Sequence, residues 1–354
     1  MFSTSALHKY LRQHPHYIGK FICELCKIWW WRICKKPIVV LSTESGGLGD
    51  YLWFRSYYSA IREHYSPVNC RIIVIGMSQW ESLAREWDSE KHTNHFDLYR
   101  SLESPDNPLK IESLFFKLFK ADVYVNFRVK YLNNLVKAKS RYYGLGFRKT
   151  KQYYETANNA VINQWFTLPD NFKHHPPLRP LAESPHKKNL TNPYVVFVEG
   201  GNTQGKLSDK QTTAIMNHLA SKGFNILFNG DYKKFVSEHP SIIINFKAQI
   251  FDGYDYSLSD YPYLVSQCQY VVTVNTFIYH LAIQLRKPCV VISANEYESV
   301  KLDAAKQVVV FNKELQKLYE NKELQSYQTI PSIRLQDIEC ERITDALNRI
   351  EEIC

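Results

Sequence analysis

The sequence predicts an α/β protein with two domains, each built on a doubly wound, mostly parallel sheet. Short β-branched runs alternate with amphipathic helical patterns in both halves of the chain, and a proline-rich stretch separates the halves. The length of 354 residues corresponds to about two typical domains. Hydrophobic residues make up 45% and charged residues 22%, which is typical of globular proteins and argues against a disordered or polytopic membrane protein.

Residues 1–36 form a basic, aromatic N-terminal segment, and residues 17–34 read YIGKFICELCKIWWWRIC. Charged residues interrupt this run, so it does not match a membrane-spanning helix, and it lacks the apolar core and cleavage site of a signal peptide. Two interpretations stay open: a helix on an anionic membrane surface, or a helix that packs its aromatic side chains on the following domain. The cations available to lipid phosphates are Lys20, Lys27, Arg32, Lys35 and Lys36.

The N-terminal domain is predicted to span residues 37–168. KPIVVLST (36–43) is predicted as a buried strand, SGGLGD (45–50) as a small-residue turn, and residues 51–65 as an amphipathic helix. The remaining predicted elements of this domain are strands at residues 70–76 and 121–127 and a strand or loop at 141–147.

A linker is predicted at residues 169–192, because six prolines lie between positions 169 and 193 among polar and basic residues. The α/β pattern restarts in the C-terminal domain, residues 193–354. Residues 193–201 are predicted as a strand and turn, and further strands are predicted at 224–230, 270–275 and 288–293. The predicted helices cover 209–223, 257–268, 276–286 and 343–353. Open α/β sheets bind ligands at the carboxyl ends of their strands, so two such domains predict a ligand cleft between them.

The net charge indicates which classes of partner the protein binds, and the cysteines bear on its redox state and on metal binding. The net charge of +9 favours polyanionic partners such as phosphates or anionic lipid. Nucleic acid is not predicted, because the cations are dispersed and no helix-turn-helix, zinc or RNA-recognition signature is present. The eight cysteines are spread over the whole chain, which indicates reduced, intracellular thiols. Cys23-x-x-Cys26 has no second pair at zinc-site spacing, so no metal site is predicted.

The first turn that can carry chemistry contains Gly46, Gly47, Gly49 and Asp50, between a predicted strand and helix. The glycines allow the backbone amides to approach a ligand or an acceptor oxygen closely. Asp50 has two readings from position alone. It is a helix cap, which is the commoner role at such positions, or a general base that takes the proton of an acceptor hydroxyl.

The second such turn joins the strand YVVTVN (270–275) to the helix TFIYHLA. Asn275 and Thr276 would place an amide, a hydroxyl and backbone N–H groups at a helix N-terminus, which favours a diphosphate. His280 lies one turn further along the same face, where it either points toward a ligand or fills the core.

These turns and their neighbours resemble glycosyltransferase family 9, the ADP-heptose:lipopolysaccharide heptosyltransferases. The resemblance rests on four segments in the family's order within residues 38–295: SGGLGDYLWFRSYYSAIREHYSP, PYVVFVEGGNTQGKLSD, ILFNGDYKK and SLSDYPYLVSQCQYVVTVNTFIYHLAIQLRKPCVVI. It implies a GT-B fold of two Rossmann-like domains facing a cleft, with the acceptor on the N-terminal domain. It also implies inverting, metal-independent transfer from a nucleotide-sugar donor, such as ADP-heptose, without a cofactor.

The resemblance assigns roles residue by residue. Asp50 matches the proposed catalytic base, and Gly46, Gly47 and Gly49 form its acceptor-side loop. The donor-binding positions are Asn202, Thr203, Lys206, Asp231, Asn275, Thr276 and His280. Among them, Asp231 falls near the acidic residue that binds ribose in the family. Two positions depart from the family: Asn275 stands where the family usually has Asp, and Phe277 where it usually has Gly, so a different donor is an open alternative.

The sequence therefore predicts an inverting glycosyltransferase that moves a heptose or related sugar to a lipopolysaccharide or lipooligosaccharide core. The acceptor would be lipid-linked, and the protein would sit peripherally at the cytoplasmic face of the inner membrane, on an anionic surface. The alternative is a non-catalytic protein of the same fold that binds sugar nucleotides or glycans.

Overall fold

A computed structural model describes most of the chain as two compact units. The described residues are 15–42, 48–64, 70–88, 94–102, 121–126, 141–144, 178, 190–201, 205–294, 306–321 and 333–354. The first unit comprises Met1–Gly46 and Tyr58–Gly146, and the second comprises Gly47–Tyr57 and Phe147–Cys354.

The first unit contains a five-stranded parallel sheet with the strand order β3-β2-β1-β4-β5. Strands β1 and β2 are almost continuous apolar runs, because a parallel sheet with both faces covered buries every residue of its central strands. The elements up to the end of this sheet are α1 (Pro15–Ile33), β1 (Ile38–Ser42), α2 (Leu48–His64), β2 (Arg71–Met77), α3 (Glu81–Asp88), β3 (Leu98–Leu102), β4 (Val123–Asn126) and β5 (Arg141–Gly144).

The second unit contains a six-stranded parallel sheet, with the order β10-β9-β6-β11-β12-β13, and a small antiparallel hairpin, β7-β8. Its strands are β6 (Tyr194–Phe197), β7 (Gly200–Gly201), β8 (Gly205–Lys206), β9 (Asn225–Phe228), β10 (Ile250–Asp252), β11 (Val271–Val274), β12 (Cys289–Ile292) and β13 (Gln307–Val310). Its helices are α4 (Asp209–Ser221), α5 (Tyr232–Glu238), α6 (Tyr261–Gln267), α7 (Phe277–Gln284), α8 (Lys313–Glu320) and α9 (Cys340–Ile353), besides the first half of α2.

Helix α9 closes one face of the second sheet. Its buried residues Ile343, Ala346, Leu347 and Ile350 follow the i, i+3, i+4, i+7 spacing of one helix face. This face packs on α4 and on strands β12 and β13. Helix α4 begins at a capping box, in which Ser208 and Gln211 satisfy each other's backbone N–H groups.

The predicted α/β class is confirmed, since parallel strands alternate with helices in both units. Strands β3, β10 and β13 and helices α3, α5 and α8 were not predicted. Strand β3 reads LYRSL, so Arg100 and Ser101 interrupt the apolar run that marks the other strands. The predicted linker at 169–192 lies outside the described residues except Leu178 and residues 190–192, so that boundary stays a prediction.

Helix α1 belongs to the first unit and packs against its other elements. Arg100 donates to Glu24 Oε2 at 2.7 Å, and Lys20 and Arg32 form ion pairs with Glu81 and Asp122. The docked face also buries an aromatic residue, but two tryptophans of the same helix stay exposed, so contact with a membrane remains a prediction. Among the described helices, none has the length and apolar character needed to cross a membrane.

All eight cysteines are free in the structure, and their reduced state stays a prediction. Cys289 on β12 and Cys268 in the loop before β11 are fully buried. Burial raises the pKa of the Cys268 thiol to about 12. They therefore behave as small apolar core residues rather than as nucleophiles.

Candidate active site at the start of helix α7

The candidate site lies in the second unit, where β11 ends at Val274 and α7 begins at Phe277. Thr276 occupies the N-cap position in extended conformation, with φ −138° and ψ 179°, and its side chain makes no capping bond to the helix. Its Oγ1 instead lies 3.1 Å from Oγ1 of Thr273 on the buried strand. The first N–H groups of a helix have no partner within it, so the start of α7 offers donors and a partial positive charge to an anion.

The β7-β8 hairpin passes directly over this helix start. A Cβ added to Gly201 would lie 2.9 Å from Cγ2 of Thr276 and 3.6 Å from the carbonyl oxygen of Asn275. A Cβ on Gly200 would lie 2.6 Å from Cγ of Lys206 on the opposite strand. Both positions therefore require glycine, because Gly200 packs closely on Lys206 and Gly201 packs closely on Thr276. These two contacts bring Lys206 to the same edge of the sheet as Thr276.

Lys206 pairs with a carboxylate that the sequence analysis did not single out. Its Nζ lies 3.0 Å from Oε1 of Glu199, and the lysine side chain is 59% exposed whereas that of Glu199 is 12% exposed. The second oxygen of Glu199, Oε2, is buried and accepts no hydrogen bond from the described part of the chain. The only signal in the sequence was its position just after the buried strand β6, at the carboxyl edge where ligands bind.

The N-terminus of α2 lies against the N-terminus of α7. A Cβ added to Gly49 would be 3.2 Å from Cδ2 of His280 and 3.5 Å from Cα of Phe277. Asp50, the predicted catalytic base, follows as the third residue of α2, so its backbone belongs to the first turn of a helix that starts beside α7. Two helix N-termini thus meet at this site, and both favour negative charge.

His280 is partly buried between aromatic rings. Its ring centroid lies 5.9 Å from that of Trp53 on α2, in an edge-on arrangement, and 5.0 Å from that of Tyr279. Loss of solvation lowers the pKa of His280 to about 4. The imidazole is therefore neutral at neutral pH, where it can hydrogen-bond a ligand but contributes no positive charge.

Buried hydrogen bonds join helices α2 and α7. Nη1 of Arg55 donates to Oε1 of Gln284 at 2.7 Å, and Nε2 of Gln284 donates to the carbonyl oxygen of Leu52 at 2.6 Å. Arg55 and Gln284 are both essentially inaccessible to solvent. This pair was not predicted from the sequence, although each residue is polar on an otherwise apolar helix face.

Asp231, predicted to bind ribose, caps helix α5. Its Oδ1 accepts the backbone N–H of Lys234 at 2.9 Å, and the neighbouring Asp252 accepts the N–H of Tyr232 at 3.2 Å. Asp231 lies just beyond β9 at the same edge of the sheet as Thr276, and a carboxylate that caps a helix keeps further lone pairs for a hydroxyl. Its predicted ribose contact stays a prediction.

The departure from the family at Phe277 has a local structural role. The Phe277 ring packs edge-on against Tyr261 of α6, with 5.8 Å between centroids. Tyr261 is buried, and burial raises the pKa of its hydroxyl. This hydroxyl lies close to Gly253, because a Cβ added to Gly253 would be 2.8 Å from it. The aromatic pair therefore ties the start of α7 to the end of β10.

Four predicted site residues, Gly46, Gly47, Asn202 and Thr203, lie outside the described residues. The remaining ones, Gly49, Asp50, Lys206, Asp231, Asn275, Thr276 and His280, all belong to the second unit. Among the described side chains, no group of three or more His, Cys, Asp and Glu is placed to hold a metal ion.

The whole chain resembles solved structures of glycosyltransferase family 9. A family 9 glycosyltransferase from Veillonella parvula is 12% identical with a TM-score of 0.63, covering 89% of this chain and 97% of its own. The E. coli heptosyltransferase WaaC with ADP is 11% identical with a TM-score of 0.58, covering 89% and 98%. E. coli ADP-heptose lps heptosyltransferase II is 14% identical with a TM-score of 0.59, covering 90% and 100%.

No protein-family profile and no curated protein matches the sequence. The likeness to the solved structures extends over almost the full length of each chain at low identity. It confirms the predicted fold class: the chain has a heptosyltransferase-like GT-B fold.

Proposed function

We propose that the protein is an inverting glycosyltransferase that moves a heptose or related sugar from a nucleotide-diphospho-sugar to a lipopolysaccharide or lipooligosaccharide core. The observation that carries the proposal is the meeting of three elements at one point: the start of α7, the β7-β8 hairpin and the start of α2. This arrangement places the backbone N–H donors of α7 and the hairpin residue Lys206 beside the start of α2, whose third residue is Asp50, and so supports the proposal. The named activity of the E. coli structures on ADP-heptose adds support for the donor class.

The donor diphosphate would bind at the N-terminus of α7, beside the hydroxyl of Thr276. Lys206 would leave Glu199 and bind a phosphate oxygen, which its exposed, flexible side chain allows. In this proposal, Lys206 and the positive end of α7 offset the charge that develops on the leaving diphosphate, without a metal ion. His280 is neutral and would act only as a hydrogen-bond partner.

Asp50 would act as the general base. As the acceptor hydroxyl attacks the anomeric carbon, its proton passes to Asp50, the new glycosidic bond forms, and the bond to the diphosphate breaks on the opposite face. Attack opposite the leaving group inverts the configuration at the anomeric carbon. A carboxylate in the first helical turn is stabilised in its ionised form, which suits a base at neutral pH.

The acceptor would be lipid-linked, at the cytoplasmic face of the inner membrane. The net charge of +9 and the cations of the N-terminal segment support an anionic membrane as the place of reaction. No additional cofactor is proposed, because the nucleotide sugar carries the activated group.

The test measures donor binding and transfer separately. Thermal stability is followed with ADP, UDP, GDP, CDP and their sugars, since a ligand at 100 times its dissociation constant adds about 2.7 kcal/mol to the free energy of unfolding. Asp50→Asn should keep the stabilisation by the donor and lose transfer, whereas Asp345→Asn, an exposed change on α9, should keep both.

The outcomes separate the candidate functions. Loss of donor binding in Asp50→Asn would identify Asp50 as a structural cap and contradict its role as a base. Donor binding by the native protein without transfer to any core oligosaccharide would favour the alternative, a sugar-nucleotide-binding protein. Stabilisation by a nucleotide other than ADP would retain the mechanism with another donor.

A further inference from the structure

Helix α1 has apolar side chains on two opposite faces. The inner face buries Leu25, Ile28 and Trp31 against the first unit. The outer face consists of Ile22, Cys23, Cys26, Trp29, Trp30 and Ile33, which are all exposed. Its four largest side chains are half-exposed or more: Ile22 is 52% exposed, Trp29 49%, Trp30 63% and Ile33 72%. Their spacing places them on one side of the helix, so they form a continuous apolar strip.

The contacts of the inner face fix the orientation of α1, so that the apolar strip faces outward. Glu24, on the inner side, accepts a hydrogen bond from Arg100 of β3 at 2.7 Å, and both side chains are only 6% exposed. Burial raises the pKa of the Glu24 carboxyl, and the Arg100 charge opposes that rise. Because rotation of α1 would break this buried ion pair, the outer face cannot turn into the core.

The charges around the outer face match an anionic surface. Glu24 is the only acidic residue of α1, and it is buried on the inner side. Lys27 and Lys35 are exposed, and Lys27 donates to the carbonyl oxygen of Asp97 while its ammonium lies 5.3 Å from the centre of the Trp31 ring. The helix therefore presents apolar and cationic groups to solvent, and no carboxylate.

The size of the strip favours a membrane over a second copy of the chain. A buried aromatic side chain covers roughly 150–250 Å² and an isoleucine side chain less, so the four half-exposed side chains offer at most about 500 Å². A stable protein interface needs about 800 Å² on each partner. A helix lying in a bilayer interface needs only one inserted apolar face flanked by cations, and tryptophan is enriched at that depth.

We propose that the outer face of α1 is a membrane-docking surface that lies in the interface of an anionic bilayer. Ile22, Trp29, Trp30 and Ile33 enter the acyl boundary, and the exposed Lys35 just beyond the end of α1 contacts lipid phosphates. This proposal concerns attachment alone and requires neither donor nor acceptor. It deepens the proposed function only by naming the surface that holds the enzyme beside a lipid-linked acceptor.

The test measures binding of the full chain to vesicles by flotation, without nucleotide. We expect binding to vesicles of equal parts phosphatidylcholine and phosphatidylglycerol, weaker binding to phosphatidylcholine alone, and loss of binding at high salt. Trp29→Gln/Trp30→Gln should weaken binding to the anionic vesicles at least tenfold, which corresponds to about 1.4 kcal/mol. The matched control Ile243→Ser/Phe246→Ser removes two exposed apolar side chains of the second unit and should leave vesicle binding unchanged.

A second variant tests insertion rather than folding. In Trp29→Phe/Trp30→Phe the apolar strip is kept, so binding should persist, but quenching of tryptophan fluorescence by brominated lipid should be lost. Three results would each overturn the proposal: no binding to anionic vesicles, equal binding by Trp29→Gln/Trp30→Gln, or a dimer in solution that this variant converts to a monomer. Stabilisation by nucleotides, measured on the same preparations, reports separately on the proposed function.

Discussion

Replacing Gly201 with alanine should damage the candidate site through one identifiable contact. The new Cβ would lie 2.9 Å from Cγ2 of Thr276, well inside the 3.5–4.0 Å at which carbon atoms are in favourable contact. The next neighbours of this Cβ, the Asn275 carbonyl oxygen and a Val274 methyl group, are both 3.6 Å away and would not resist. Overpacking of this kind costs about 1–3 kcal/mol, and here it displaces Thr276, the N-cap residue of α7.

Thr276→Ser provides the matched rescue, because it deletes only the methyl group that the new Cβ would meet. It keeps Oγ1, which lies 3.1 Å from Thr273, and serine is as good an N-cap residue as threonine. The double variant Gly201→Ala/Thr276→Ser should therefore recover most of the lost stability. A double-mutant cycle of urea unfolding should give a coupling energy of about 1–2 kcal/mol, and the affinity for the stabilising nucleotide should follow the same pattern.

Two results would refute this reasoning. If Gly201→Ala unfolds at the same urea concentration as the native protein, the hairpin does not approach α7 as closely as the structure shows. If Thr276→Ser fails to rescue it, the cost arises from the backbone of the hairpin and not from the contact with Thr276.

Three further predictions follow from buried polar groups. Glu24→Leu should lower the free energy of unfolding by about 3–5 kcal/mol, because it leaves the buried guanidinium of Arg100 without its carboxylate. The double variant Glu24→Leu/Arg100→Met should recover most of the lost stability, measured by thermal unfolding. Gln284→Leu should cost about 3 kcal/mol by removing the hydrogen bonds to Arg55 and the α2 backbone, and Arg55→Met in the same chain should reduce that loss. Because the pKa of His280 falls from 6.5 to about 4 on folding, the folded state binds fewer protons between these values, so stability rises with pH across that window. This rise should amount to at most about 3 kcal/mol, and His280→Gln should flatten it in urea titrations from pH 4 to 7; an unchanged slope would show that other groups cause it.

The parts of the fold that the sequence predicted correctly are those with a local pattern. Strand β11 (VVTV) is an uninterrupted β-branched run, and strand β12 (CVVI) is β-branched after its first residue. The turn between β11 and α7 is visible as a change from one periodicity to another.

The contacts that were missed join residues far apart in the chain. Arg55 and Gln284 are 229 positions apart, and Glu24 and Arg100 are 76 apart. No periodicity or spacing rule pairs such residues, because only the folded topology brings them together. Glu199 lies within the segment 193–201 that was predicted as strand and turn, but its pairing with Lys206 depends on the antiparallel register of two-residue strands β7 and β8.

The central claim is that the start of α7 and Lys206 hold a nucleoside diphosphate. Isothermal titration with the nucleotide that stabilises the native protein tests it most directly, on Lys206→Ala and on Lys210→Ala, an exposed lysine of α4 close by in the sequence. Loss of a charge-assisted contact predicts at least about tenfold weaker binding for Lys206→Ala and unchanged binding for Lys210→Ala. Equal affinity in both variants, or no binding of any nucleoside diphosphate to the native protein, would contradict the account.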